Sequence, residues 1–517
     1  MAVARAFALP SPLRSPLAPR RLAVLAVAAI VALYLVTRLG LIGRFPWFVD
    51  EGIHGRFTDR FSHNVGDAFI SLSIAKEPLS IWIGGALTKL GFTPLAATRM
   101  VSFLAGLLTL AMVGLLGRKL GGVWAGVAAM GAYAVLPLFV VHDIVGIMDP
   151  LLTALMTSAL YLQIELAERP RAWVGVALAC VLGLGILTKE GAKVAVALLP
   201  LSLLCFDWTA PDVRRRLSRW LAFAALAVAG AAAGLLILHS SSQWHRAEVI
   251  RKIPLLYPVR SVHDALSDPT RFARENWPVY RATLTGYVTL PVLAAAITGF
   301  VLVLRERTRL ALVVGGWLAV MGVAALLLPV SPYPRHALFL APPLLALAGV
   351  ALARGGAALY VALGRGRGAA GAVAAALLLV FALALVRDAR VLAHPSTAHY
   401  PDGDDVQYVT GVQGGAIWPD VADELRRRTG GRPAVVIRSK AAVDVISLLL
   451  ARDGIQFVFA DRRAARGAHL LLRDDIPFPD IPGDALLAHR GPGSFRLVKE
   501  FPRPRGGPVV RIYERSP

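Results

Sequence analysis

Long apolar runs recur along most of this chain, and they constrain its fold more than any other feature. Runs of about eighteen or more apolar residues are long enough to cross a membrane as helices. The composition agrees, because 56% of the 517 residues are hydrophobic and only 17% are charged. A soluble globular surface needs more polar residues than this. The sequence therefore predicts a polytopic α-helical protein of the cell membrane.

Arginine clusters between the apolar runs predict how the helices are oriented. Membrane proteins keep Lys and Arg in short loops on the cytoplasmic side. This rule predicts about eleven spans, with the N-terminus in the cytoplasm and the C-terminus outside. A cleaved signal peptide is the alternative for the first run, which is long for one and has no clear small-x-small site before Arg38. The spans are predicted at about residues 21–41, 98–117, 122–140, 150–166, 172–188, 192–206, 218–238, 283–304, 310–328, 337–353 and 369–386.

The net charge of +22 fits a membrane setting. In a soluble protein it would suggest nucleic acid, but here most of the excess is Arg beside apolar runs. We therefore expect membrane lipids or an anionic lipid-linked substrate as partners, and no nucleic acid. One segment, residues 239–282, is predicted outside and yet is strongly basic. Its basic residues are Arg246, Arg251, Lys252, Arg260, Arg271, Arg274 and Arg281.

Two domains are predicted, with a boundary near residue 388. Residues 1–388 would form the transmembrane domain, with a long first outer loop at about 42–97. In that loop "PLSIWIGGALTKLGF" is short for a span and predicts a juxtamembrane or re-entrant helix. Residues 389–517 carry short β-type runs and two amphipathic helical segments, which predict a small soluble extracytoplasmic α/β domain. The β-type runs are "PAVVIR", "IQFVFA", "AHLLLR", "SFRLVKEF" and "VVRIYE".

Two sets of carboxylates stand beside predicted spans. Asp50 and Glu51 follow the first span in "FPWFVDEGIHGRF". They are either a solvated acid pair or a general base at the membrane surface, and in an extended segment only one of them would face a substrate. Asp149 comes directly before Pro150 at the start of a predicted helix. It is either an ordinary helix cap or a second acid of the same site.

Cations lie at helix–loop junctions on the same predicted face: Lys76 in "IAKEPLSIW", Lys189 in "GILTKEGA" and Arg335 in "SPYPRHALFLAPP". Each is suited to a phosphate at headgroup depth, and a snorkelling side chain is the ordinary alternative. Together, the acids would activate an acceptor hydroxyl and the cations would neutralise a phosphate leaving group. Nothing in the sequence resembles a Walker loop, a Ser-His-Asp set or a His-x-x-x-His metal pair.

These pieces, in this order, resemble the GT-C superfamily of polyprenyl-phosphate-sugar-dependent glycosyltransferases. The most similar groups are the protein O-mannosyltransferases and the lipid A aminoarabinose transferases. The resemblance covers nearly the whole chain and includes the acid pair after the first span and Asp149. Its other segments are "KEPLSIW", "AATRMVSFLAGLLTLAMVGLLGRKLGG", "GLGILTKEGA", "RHALFLAPPLLALA" and "DDVQYVTGVQGGAIWPDVADELRRR".

The resemblance implies an inverting hexosyl or pentosyl transferase that uses a polyprenyl-phosphate sugar on the extracytoplasmic side. Asp50 would be the general base toward a hydroxyl of a protein, lipid or glycan acceptor, and Glu51 and Asp149 would orient acceptor or sugar. The logic requires no cofactor, although it leaves room for a divalent metal. The residues expected to contact substrate are Lys76, which would hold the donor phosphate, with Arg99, Lys189, Arg335 and His54.

Two departures from the family pattern leave the sugar open. Relatives often have an Arg-Tyr or His-Phe type sequence after the acid pair, where this chain has His54 and Arg56 within Gly52–Arg56. The frequent Arg-Tyr of a late helix is Arg335-His336 here.

A transporter or flippase for lipid-linked sugars is the alternative from another class, but it predicts polar residues at the membrane midplane and interrupted helices. An inactive scaffold is a second alternative.

Overall fold

The computed structural model describes residues 18–253, 259–439, 443–460, 468–475, 481–489 and 493–516. The first two residues of the second amphipathic segment, 441–454, lie outside them.

Helices make up nearly all of the chain up to residue 393. Their bounds are α1 (Ala18–Ile42), α2 (Val49–His63), α3 (Leu79–Lys89), α4 (Pro94–Gly121), α5 (Val123–Val135), α6 (Pro137–His142), α7 (Asp149–Glu168), α8 (Ala172–Ile186), α9 (Lys193–Ala197), α10 (Val213–His239), α11 (Trp244–Arg251), α12 (Val262–Ser267), α13 (Pro269–Thr283), α14 (Leu290–Glu306), α15 (Thr308–Leu327), α16 (Ala341–Ala362) and α17 (Arg367–Ala393). Short 3-10 helices cover Val65–Asp67, Ile70–Ile74, Glu190–Ala192, Leu199–Cys205 and Pro334–Ala337, and a π-helix covers Leu284–Val288.

The polytopic membrane fold is confirmed. Within the described residues, seven helices are long and apolar enough to cross a membrane, namely α1 from Arg21, α4, α7, α10, α15, α16 and α17. A bent pair, Pro269–Val288 with Leu290–Glu306, adds an eighth if it is one span. Helices also form at the three other predicted spans, but they are short or broken, so eleven crossings stays a prediction. The segment predicted as a juxtamembrane or re-entrant helix forms the helix α3, and its position at the membrane stays a prediction.

Prolines explain why some predicted spans are broken. Pro137 separates α5 from α6, and Pro291 follows the break between the π-helix and α14. A proline ring collides with the carbonyl four residues earlier and restricts the preceding residue, so a helix ends before it. At the second break the chain bends by 94° at Thr289, whose φ is 74°.

The basic 239–282 segment, predicted as a loop, contains α11, α12 and α13.

The basic clusters meet at one end of the helix bundle. Lys119, in the last turn of α4, pairs with Glu168 of α7 across 2.8 Å. Arg307 donates to the Lys119 carbonyl, and Arg216 donates to the Glu168 carbonyl. Because α7 has 20 residues, its other end, Asp149, lies about 30 Å away, which is the thickness of a bilayer core.

The predicted α/β domain is also confirmed in the C-terminal region. Five strands order as β4-β3-β5-β7-β6, with β3, β4 and β5 parallel and the other pairings antiparallel. All five β-type runs of the sequence form these strands. The elements after α17 are α18 (Asp402–Asp405), α19 (Trp418–Thr429), β3 (Ala434–Ser439), α20 (Asp444–Leu449), β4 (Ile455–Phe459), β5 (Leu470–Asp474), α21 (Ile481–Ala488), β6 (Phe495–Phe501) and β7 (Val510–Arg515).

This domain packs on the end of the bundle away from the basic clusters. A two-residue strand β1 (Trp47–Phe48) pairs antiparallel with β2 (Gly414–Gly415). Arg56 of α2 forms an ion pair with Asp444 of α20. The first long loop and the C-terminal domain therefore form one layer over the ends of α1, α4 and α7, where α2 places the acid pair.

Candidate active site

Glu51 is completely buried at the start of α2, and every contact it makes is with the protein. Its two carboxylate oxygens receive Arg99 Nε at 2.7 Å and Nη2 at 2.9 Å. The backbone N–H groups of Phe48 and Gly146 donate to the same carboxylate at 2.8 Å and 2.7 Å. Arg99 donates its other hydrogens to carbonyls of the chain before α2 and lies 3.5 Å from the centre of the Trp47 ring.

The predicted roles of Glu51 in orienting acceptor or sugar and of Arg99 in binding substrate stay predictions. Both side chains are fully buried, and their polar groups are used within the protein. Together they fix the start of α2 against the loop that carries Gly146, three residues before Asp149. Gly146 has no room for a side chain, because a Cβ there would collide with Thr98. This acid of the Asp50–Glu51 pair holds the site together, which leaves Asp50 to face outward.

Asp50 lies between two cations. Its Oδ2 is 3.8 Å from Lys76 Nζ and 3.6 Å from Arg335 Nη2, and its side chain is about one quarter exposed. Burial acts to raise the pKa of Asp50, but the charges of Lys76 and Arg335 outweigh it, so the pKa lies below the ordinary value. The segment is helical, whereas the sequence suggested extended chain. The expectation that only one acid of the pair is open holds nevertheless.

Asp149 forms the second half of the site. Its Oδ1 accepts a hydrogen bond from Lys189 Nζ at 2.7 Å. Arg335 links the two halves: burial would lower the pKa of its guanidinium, but Asp50 and then Asp149 hold the pKa above the ordinary value. The structure thus brings Asp50, Lys76, Asp149, Lys189 and Arg335 to one end of the bundle.

An apolar cavity of about 360 Å³ opens beside this cluster. Its charged and polar lining includes Asp149, Lys189, Glu190, Lys193 and His336, and the carbon-rich remainder is formed largely by side chains of α7, α15 and the segment after α11. Burial, with Lys189 and Arg335 next to it, lowers the pKa of His336 to about 3, so its ring is neutral at physiological pH. An elongated apolar molecule with an anionic end fits a cavity of this composition.

His54 is not available as a cation. The ring is 2% exposed, and its Nδ1–H donates to the Gly146 carbonyl at 3.0 Å. Burial and the adjacent Lys76 lower its pKa to about 4. Its Nε2 is buried without a hydrogen-bond partner among the described residues. His54 is thus a neutral side chain that holds Gly146 from the side opposite Glu51, and its predicted donor contact stays a prediction.

Sequence reasoning missed a buried polar network behind Arg335. Arg335 Nη1 donates to Gln407 Oε1 at 2.7 Å. Nearby, Asp404 accepts a hydrogen bond from the Tyr287 hydroxyl at 2.6 Å and lies 3.1 Å from His142 Nε2. The segment "DDVQYVTG" carries both Asp404 and Gln407, but nothing local in it indicates a partner 72 residues earlier in the chain.

Most of the charged side chains in this site are cations. Among the described residues, no group of three or more His, Cys, Asp or Glu side chains is arranged to hold a metal ion. The arrangement offers one open carboxylate, Asp50, beside three cations. Such a set can accept a proton from a hydroxyl while it shares the negative charge of a phosphate.

The chain is similar in sequence and in fold to known glycosyltransferases. Residues 75–237 match the family described as dolichyl-phosphate-mannose-protein mannosyltransferase. No curated protein matches the chain in sequence. Among solved structures, the chain is similar to ArnT from Cupriavidus metallidurans in the apo state, with a TM-score of 0.57 and 17% identity over 96% of this chain and 98% of that chain.

Two further structures show the same fold. ArnT from Cupriavidus metallidurans bound to undecaprenyl phosphate has a TM-score of 0.56 and 16% identity, and the match covers 95% of this chain and 97% of that one. The Archaeoglobus fulgidus oligosaccharyltransferase in the apo form has a TM-score of 0.53 and 13% identity, covering 87% and 69%. The match to the mannosyltransferase family over residues 75–237, together with the shared fold, confirms the predicted resemblance to the GT-C superfamily of glycosyltransferases.

Proposed function

We propose that this chain is an integral-membrane glycosyltransferase that moves a sugar from a polyprenyl-phosphate donor to a hydroxyl acceptor on the extracytoplasmic side. The observation that carries the proposal is the apolar cavity lined by Lys189 and Asp149. An isoprenoid chain would occupy its apolar part, and the phosphate would meet the cations of its lining. The likeness to ArnT, which binds undecaprenyl phosphate, supports this occupant.

The reaction follows from the charges around Asp50. An acceptor hydroxyl attacks the anomeric carbon of the sugar, and Asp50 accepts the hydroxyl proton. The carbon–oxygen bond to the phosphate breaks, and Lys76, Lys189 and Arg335 share the charge of the departing polyprenyl phosphate. Because the pKa of Asp50 lies below the ordinary value, its side chain is ionised at neutral pH, which is the form that can accept the hydroxyl proton. A single displacement of this kind inverts the configuration at the sugar carbon.

The extracytoplasmic location is supported by where the charges lie. Asp149 and the basic cluster around Lys119 are at opposite ends of helices that are long enough to cross a bilayer. Basic clusters favour the cytoplasmic side, which leaves the site and the C-terminal domain outside. We propose the same division into a transmembrane domain, residues 1–388, and a soluble domain, residues 389–517. In this orientation the N-terminus is cytoplasmic.

A donor-binding experiment with a matched control tests the proposal. Lys189→Met removes the cation at the cavity, whereas Lys89→Met removes an exposed lysine at the end of α3. A charge-assisted hydrogen bond contributes about 1.5–3 kcal/mol, so K189M should bind undecaprenyl phosphate about tenfold or more weakly than K89M. It should also transfer less sugar from a panel of radiolabelled hexosyl and pentosyl polyprenyl phosphates. Equal binding by both variants would contradict the proposal.

A further inference from the structure

The dipeptide Lys-Glu occurs twice in the site, at 76–77 and at 189–190. In each copy the lysine faces a carboxylate of the proposed site, with Lys76 at 3.8 Å from Asp50 and Lys189 at 2.7 Å from Asp149. The glutamates that follow the lysines have no place in the mechanism so far. Glu77 is 3% exposed.

Both glutamates meet at the same arginine, Arg251. Its Nη2 lies 3.0 Å from Glu77 Oε1, and its Nε lies 3.6 Å from Glu190 Oε1. The guanidinium also lies 4.7 Å from the centre of the Trp244 ring on the same helix, α11. Trp244 in turn packs on the His239 ring, with 4.1 Å between centroids. The arginine is thus held from one face. It donates a hydrogen bond to Glu77 and forms a longer ion pair with Glu190, which also accepts a hydrogen bond from Lys193 Nζ at 2.9 Å.

We infer that Arg251 is a positioning residue that clamps the two Lys-Glu dipeptides and so fixes where Lys76 and Lys189 present their ammonium groups. A lysine directly bonded to a fixed glutamate can vary only through its own side chain. Without the guanidinium, the link between Glu77 and Glu190 would be lost. One planar guanidinium reaches both at once, which a lysine ammonium cannot do as well.

This inference explains part of the basic 239–282 segment. Arg251 is only 12% exposed, and its guanidinium contacts the two glutamates. Arg260 likewise contacts protein, through the Leu327 and Pro329 carbonyls and Glu275. Arg246, on the outer face of α11, remains exposed.

The consequence for turnover rests on the proposed function. If the two lysines hold the donor phosphate, their separation decides how well the phosphate is bound. Misplacement of a binding group by about 1 Å can cost about a hundredfold in rate. Loss of Arg251 should therefore raise KM for the polyprenyl-phosphate sugar more than it lowers kcat, because Asp50 keeps Arg335 beside it.

Lysine reactivity tests the clamp without any assay of transfer. Arg251→Gln removes the guanidinium, Arg251→Lys keeps a single charge, and Arg246→Gln is the control on the same helix. Each full-length protein is treated with an amine-reactive reagent, and labelling of Lys76 and Lys189 is measured by mass spectrometry against exposed Lys89. We expect severalfold faster labelling of both lysines in R251Q, an intermediate rate in R251K and no change in R246Q.

A double variant guards against simple loss of folding. R251Q leaves Glu77 buried beside Glu190 without its cation, which is costly in itself. Glu77→Gln together with R251Q removes that charge, and it should still show faster labelling and a donor KM about tenfold higher. Unchanged labelling in folded R251Q and in the double variant would overturn the inference. If labelling rises but no variant or wild type transfers sugar, the clamp stands and the proposed function fails.

Discussion

Lys189 and Asp149 pair across 2.7 Å in the lining of the apolar cavity beside the site. Asp149 opens a helix that can cross a membrane, and Lys189 lies 40 positions later, just beyond the end of α8. Their pairing places a cation, Lys189, beside an apolar cavity, and a lipid phosphate requires both. The carboxylate of Asp149 holds the ammonium group of Lys189 in place.

Filling the apolar part of the cavity should block donor binding. Ala324 lines the cavity on α15, whereas Val323, the preceding residue, is 54% exposed on another face of the helix. Ala324→Trp should weaken binding of undecaprenyl phosphate by about tenfold or more, because the indole takes space that the isoprenoid chain needs. Binding is measured by native mass spectrometry. Val323→Trp should leave it unchanged, and equal loss in both variants would contradict this account of the cavity.

Glu51 should matter for stability more than for substrate. Glu51→Gln leaves Arg99 buried with no counter-ion, and breaking a buried pair in this way costs about 3–5 kcal/mol. The thermal unfolding midpoint in detergent should fall clearly. Asp67→Asn, which breaks a half-exposed pair with Arg60, should shift it little. An E51Q protein as stable as wild type, with a raised acceptor or donor KM, would support the substrate role that the sequence suggested.

Glu77 should give the protein a measurable pH dependence. Burial raises its pKa to about 7; Glu190 adds to the rise, and Arg251 and Lys189 act against it. A carboxyl whose pKa is higher in the folded state binds its proton more tightly there, so stability falls as pH rises from the ordinary carboxyl range to about 7. Between about pH 5 and pH 7, wild type should therefore lose stability relative to Glu77→Gln, and the difference should be constant above about pH 8. Parallel curves would contradict the raised pKa.

Several parts of the fold could be predicted because they depend on local pattern. Apolar runs mark the spans, and alternating runs such as "PAVVIR" mark the strands, since burial on one or both faces imposes them. Asp50 and Lys76 could be assigned to the same side of the membrane, because the arginine clusters predict which side is cytoplasmic and these two residues fall on the opposite side. The helix breaks at Thr289 and Leu136 were not predicted, although Pro291 and Pro137 in the sequence indicate them.

The parts of the site that could not be predicted depend on distant pairing. Glu51 and Asp50 are neighbours and look alike in sequence, yet only the position of Arg99, 48 residues later, buries one of them. Arg251 is 174 residues from Glu77, and Arg335 is 72 residues from Gln407. The sequence pattern of a short segment carries no information on contacts between residues so far apart in the chain. The repeated Lys-Glu dipeptide was the one sequence signal for the clamp.

Transfer by Asp50→Asn tests the central claim most directly. Membranes with wild type, D50N or Asp59→Asn, a carboxylate on the same helix that pairs with His63 away from the cavity, receive radiolabelled polyprenyl-phosphate sugars. General-base catalysis is worth about 10²–10⁴-fold, so D50N should lose that much transfer while its unfolding midpoint and undecaprenyl-phosphate binding stay near wild type. D59N should transfer at the wild-type rate. Equal transfer by D50N and wild type would contradict the account.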